Sequence, residues 1–189
     1  MNKLHNKIVV WLILGVVIAC SIWITITPAD TLIGYFGTEN IFVFMYLIAF
    51  IGSISTFASI PYPLILLGLA AGGIDPLLIG IVSALGVMTA DSFTFLVTKQ
   101  GRALLSDKLL TAAEQLGTRI NAHPRLLTPG LMLYGTIAPL SNDFAVITLA
   151  TMRYSYWRVI PPLAIGNIIY NIGIAYLGVY SYDWIVGLV

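Results

Sequence analysis

"YGTIAPLSNDFAV", Tyr134–Val146, decides how this chain is read. It lies inside Leu126–Met152, an apolar span whose one charge is Asp143, and beside that charge stand Pro139, Ser141 and Asn142. A charge at mid-bilayer is unfavourable by about 2.5–3.5 kcal/mol on insertion scales, so it ordinarily faces a polar cavity or a partner. Proline removes an amide donor and restricts the residue before it. Irregular backbone at membrane depth survives only where protein or water satisfies it. The stretch therefore predicts two half-helices with a break between them. Asp143 either lines a polar cavity or caps the exposed amides of the second half-helix.

The remainder of the chain agrees with a membrane setting. Of its 189 residues, 59% are hydrophobic and 9% charged, against about 25% charged in soluble domains. One compact integral membrane domain is expected. A net charge of +1 gives no basic patch for nucleic acid. The single cysteine, Cys20, cannot form a disulfide within the chain. His5 and His123 read as polar interface residues, and neither a metal nor a cofactor is expected.

Ile8–Ile26 is an apolar run long enough to cross a bilayer, and it reads as a retained first span. "VIAC", Val17–Cys20, is the competing sign of a processed leader, but the apolar run continues past it. A polar stretch, Thr27–Asn40, follows. Ile41–Ile74 then carries no charge over 34 residues. As one helix it would be about 50 Å long, too long for a hydrocarbon core about 30 Å thick. Two crossings would need more residues. "SIPYP", Ser59–Pro63, punctuates its middle, so the run is expected to be a re-entrant hairpin broken at Ile60–Pro63.

Leu77–Thr98 is a span holding Asp91, and Val159–Tyr180 is the last, holding Asn167 and Asn171. Between them, Leu105, Leu109, Ala112, Leu116 and Ile120 recur at helical spacing opposite Asp107, Lys108, Glu114 and Arg119. That pattern predicts an amphipathic helix lying on the membrane surface. If Ile41–Ile74 and Leu126–Met152 both leave on the side they entered, all nine basic residues fall on the cytoplasmic side. Asp30, Glu39, Asp75 and Asp183 fall outside. Lys and Arg in short loops set orientation in this way, which makes the N-terminus cytoplasmic in a multi-pass cell-membrane protein.

An offset of 80 residues lays "SIPYPLILLGLAAG" over "PLSNDFAVITLATM" and "ALGVMTAD" over "AIGNIIYN", pairing Gly86 with Gly166 and Asp91 with Asn171. From Ser59 to Thr98 only four of 40 pairs are identical, so the shared order of features carries the repeat. The fold class expected is all-α. An N-terminal helix and external loop (1–40) precede a membrane domain (41–189). That domain has a first repeat (41–101), a cytoplasmic amphipathic helix (102–123) and a second, inverted repeat (124–182). Each repeat is a re-entrant hairpin plus one crossing, a plan common among transporters.

"SIPYPLILLGLAAGGIDPLLIGIVSALGVMTADSFTFLVTKQGR" and "APLSNDFAVITLATMRYSYWRVIPPLAIGNIIYN" together resemble the DedA family, also called the VTT or SNARE-associated Golgi protein family. The resemblance spans about residues 50–180 and rests on Pro139, Asp143, Arg153, Tyr154 and Gly166 in order and spacing. Three departures matter. Pro63 stands where many members have a glutamate, "YGTIAP" lacks the arginine many members carry, and Ser141 replaces a proline. The resemblance implies movement of phospholipid or polyprenyl-phosphate headgroups, and the missing glutamate puts coupling through paired tip carboxylates in doubt.

The expected transport cavity is built from Asp143, Asn142, Ser141, Pro139, Asp91, Asn171 and Asn167, with Ser59, Pro61 and Pro63 at the first hairpin tip. Asp91 is a second proton site, or a partner of Asn171 across the pseudo-twofold, or an aspartate near the cytoplasmic end bonded to Thr94 or Thr98. Asn167 and Asn171 either line the cavity or bond between helices. Arg153 and Arg158 either attract lipid phosphate or only set orientation. Gly68, Gly72 and Gly73 are expected to permit close helix approach. The expected partners are membrane lipids, with protons and a second copy of the chain as further candidates. The rival functions are an ion-coupled small-solute transporter and a non-transporting scaffold. No zinc-protease motif, nucleophile elbow or nucleotide loop is present, so no enzyme is expected.

Overall fold

The computed structural model describes residues 29–54, 62–101, 111, 120, 124–137 and 142–186. The expected first span, the amphipathic helix between Arg102 and Ala122 apart from Thr111 and Ile120, and Ser59, Pro61, Pro139 and Ser141 lie outside them. Six α-helices and no strand are found among the described residues: α1 Ala29–Ile54, α2 Tyr62–Ala71, α3 Pro76–Gly101, α4 Leu127–Ile137, α5 Asn142–Thr151 and α6 Tyr156–Val186. A 3-10 turn, Pro124–Leu126, leads into α4.

Three boundaries differ from expectation. The described chain is already helical at Ala29, inside the stretch read as a polar loop, and this helix is broken at Gly37, whose φ of 73° and ψ of 160° are not helical. Pro63 is not in the first break but in the first turn of α2, where its missing amide has no helical partner to lose. α6 starts at Tyr156 rather than Val159, so Pro161 and Pro162 fall inside it.

The two halves share their local geometry at the 80-residue offset. α2 and α5 are both ten residues long. α2 ends with Gly73 N–H donating to Ala70 O (3.1 Å) and Ile74 N–H to Leu69 O (3.2 Å). α5 ends with Arg153 N–H donating to Ala150 O (3.0 Å) and Tyr154 N–H to Leu149 O (3.1 Å). This is the same Schellman closure at both helices. It needs a left-handed residue, supplied by Gly73 (φ 92°) in one and Arg153 (φ 62°) in the other. Asp75 then caps α3, its Oδ1 accepting from Leu78 N–H at 2.8 Å, with Pro76 in the first helical position.

α3 and α6 cross antiparallel at the centre. Gly80 meets Ile172, where an added Cβ would lie 2.9 Å from the Ile172 Cα, and Ser83 meets Asn171. α1 packs on α3 where a Cβ at Gly86 would collide with the Tyr46 carbonyl. α4 packs on α6 through Gly135 and Gly166, whose backbones touch. The short arms are exchanged between halves, α2 lying on α6 and α5 on α3. Gly68 and Gly73, expected at close approaches, have nothing within 4 Å of an added Cβ. The close approaches fall at Gly80, Gly86, Gly135, Gly166 and Gly178 instead.

Two apolar cores result. One joins Met45, Leu66, Leu69, Ile79, Val87 and Ala175 from α1, α2, α3 and α6. The other joins Phe95, Leu131, Val146, Leu149, Val159 and Leu163 from α3–α6. The outer surface is also apolar: Val43, Leu64, Phe93, Leu133, Phe144 and Ile169 are each more than half exposed. Pro76–Gly101 and Tyr156–Ser181 are long and apolar enough to cross a membrane. Less than half of each apolar window is buried, 44% and 39%, whereas the core helix of a soluble protein would be mostly buried.

Candidate functional site

Between the two cores, midway along α3 and α6, the interior turns polar. Asp91 and Asn171 are each the sixteenth residue of the 26 in Pro76–Gly101 and Tyr156–Ser181. At about 1.5 Å per residue, each is roughly one turn past the middle of its helix. Asp91, Asp143, Asn167, Asn171 and Ser83 are all at most 4% exposed.

The amides converge on one carboxylate oxygen. Asn142 Nδ2 donates to Asp91 Oδ2 at 3.1 Å and to Asn167 Oδ1 at 3.0 Å. Asn167 Nδ2 donates to the same Asp91 Oδ2 at 3.1 Å. Asn171 Nδ2 donates to the Asn167 carbonyl at 2.8 Å, and Ser83 Oγ donates to Asn171 Oδ1 at 2.9 Å. Asp91 Oδ1 is buried with no hydrogen-bond partner among the described residues. Buried polar atoms are nearly always paired, so an unmet carboxylate oxygen marks a place for a proton or a donor group. Asp143, in the first turn of α5, is near enough to act electrostatically on Asp91.

Five of the residues singled out in the sequence, Asp91, Asn142, Asp143, Asn167 and Asn171, thus come together. Two details differ from expectation. Asp91 bonds to neither Thr94 nor Thr98, and its amide partners are Asn142 and Asn167 rather than Asn171. Arg153 and Arg158 are exposed at the α5–α6 turn. Arg153 lies roughly 15 Å of helix from Asp143, so these arginines are not part of the cluster. Pro63 is half-buried next to Tyr62.

Three participants were not singled out. Ser83 stands eight residues before Asp91, a spacing that shares a helix face. Tyr62, the 80-offset counterpart of Asn142, lies near enough to Asn171 and Asp91 to feel both. Tyr134, in the stretch that opened the reading, feels both carboxylates. It also lines an open cavity of about 450 Å³ between α4 and α5 whose other walls are mostly apolar, among them Leu131, Phe144 and Leu149. No group of three or more His, Cys, Asp or Glu residues suited to a metal occurs among the described residues.

No protein-family model, curated protein or solved structure matches the chain. What the fold and site define is an all-helical protein with two long apolar helices that enclose a carboxylate–carboxamide cluster.

Proposed function

We propose that the chain is a multi-pass cell-membrane protein, its N-terminus cytoplasmic, that moves lipid headgroups across the bilayer as a scramblase or flippase. The observation that carries this reading is the polarity of the packing. Apolar side chains cover the outside, while Asp91, Asn167 and Asn171 are buried near the middle of α3 and α6, with Asp143 buried beside them in the first turn of α5. Intramembrane ionisable groups mark substrate or proton pathways. The register of 80 residues supports two inverted repeats, each a re-entrant hairpin and a crossing. Their short arms, α2 and α5, bring their N-terminal ends to the polar cluster. The likeness of the sequence to the DedA family points to phospholipid or polyprenyl-phosphate as the lipid. In this reading the headgroup passes the Asp91–Asn142–Asp143–Asn167 cluster while its tails remain in lipid.

The unmet Asp91 Oδ1 favours a second reading, in which a proton or small cation sits there and drives a small solute. The two are separated by reconstituting the full chain in liposomes with headgroup-labelled fluorescent lipids. Under the lipid reading, wild type exchanges lipid between leaflets, Asp143→Asn loses most of that exchange, and small solutes do not compete. Normal exchange by a folded Asp143→Asn variant contradicts the role given to this carboxylate. No exchange by wild type removes scrambling of those lipids and leaves the solute reading, or a scaffold that docks a partner.

A further inference from the structure

We infer that α5 is the moving element of the site, latched by Asn142, while its counterpart α2 is fixed. The role of this motion in transport rests on the lipid-path reading above, but the motion itself is read without any substrate. At the 80-residue offset, Tyr62 and Asn142 are the first residues of α2 and α5; Asn142 donates to Asp91 on α3, and Tyr62 lies near Asn171 on α6. Each short arm therefore begins beside the long helix of the other half. The two latches differ in charge. Tyr62 meets the neutral Asn171, itself held by Ser83. Asn142 meets Asp91, and Asp143 follows it in the same arm. When both acids are charged they repel each other, and that repulsion pushes α5 away from α3.

Packing differs in the same sense. α2 lies so close to α6 that a Cβ at Gly178 would collide with the Leu67 carbonyl. The matching positions in the other half are Thr98 and Ile147, where no glycine allows such contact and Ile147 is 40% exposed. On its other flank α5 borders the cavity of about 450 Å³, through Ala145, Thr148 and Leu149. Rocking α5 into that space would break both Asn142 bonds and open the face of Asp91.

The test is hydrogen exchange, read by mass spectrometry, on the full chain in lipid nanodiscs. α2 and α5 have equal length, so each serves as the reference for end fraying. Amides of 146–151 should exchange at least about tenfold faster than those of 66–71, as expected for an element of low local stability. Asn142→Ala should speed exchange in α5 further and leave α2 unchanged. Ala145→Leu, which fills the cavity from α5, should slow α5 towards the rate of α2. Equal protection of the two arms in wild type overturns the inference, as does an Asn142→Ala effect spread equally over both. A chain that shows the asymmetry but exchanges no lipid keeps the moving arm and loses the lipid reading. A chain that exchanges lipid with both arms equally protected does the reverse.

Discussion

Asn167 sits at the junction of the polar cluster, giving an N–H to Asp91 and accepting one from Asn142. Leucine at this position has nearly the same volume but neither group, and it leaves an Asn142 N–H unmet. Asn167→Leu should therefore cost about 1–3 kcal/mol, although it makes the interior more apolar. Thermal unfolding in detergent checks this against Ile169→Leu, an exposed position where no loss is expected. Arg153 gives a second residue-scale prediction. Its φ of 62° suits glycine, and the matching residue of the other half is Gly73. Arg153→Gly should raise stability by about 1 kcal/mol, seen as a higher melting temperature. If Arg153 only sets orientation, lipid exchange persists in the same variant. The polar residues of the cluster stood out in the sequence because charge and amide are rare in apolar runs. Tyr62 and Tyr134 did not, since a tyrosine in such a chain is as readily an interface residue.

Helix contacts bear on the few identities that the 80-residue offset brings together. The four identities between the halves are Leu69/Leu149, Ala70/Ala150, Ala84/Ala164 and Gly86/Gly166, and all eight residues are buried. Identity survives where packing constrains side-chain size. Elsewhere the two halves need only be apolar. The glycines were the less legible part. Gly68 and Gly73 stood in a cluster of small residues, yet the close approaches fall at isolated glycines such as Gly166, because the partner helix decides where space is short. Gly166→Leu should force α4 off α6 and destabilise by about 1–3 kcal/mol or more. Gly173→Leu, on the same helix with nothing within 4 Å of an added Cβ, should stay within about 0.5 kcal/mol. Chemical denaturation of the two variants side by side reads the contrast.

The exchange of α2 and α5 between halves is a property of the whole molecule that the sequence did not reveal. It depends on contacts between residues about 50–110 apart in the chain, whereas periodicity and breaks speak only of local structure. The expectation of two opposed hairpins came from the charge split and from the two apolar runs. The common turn geometry after α2 and α5 is local and fixes neither turn to a side of the membrane. The central claim is that these two turns face opposite sides of the membrane, with the Asp91 cluster between them. The direct measurement is labelling by a membrane-impermeant maleimide in a Cys20→Ser background, with Gly72→Cys marking one turn and Arg153→Cys the other. The account predicts that Gly72→Cys is labelled only in intact cells with the outer face exposed, and Arg153→Cys only in inverted vesicles. Labelling of both turns from the same side would contradict the opposed hairpins and the polar path drawn between them.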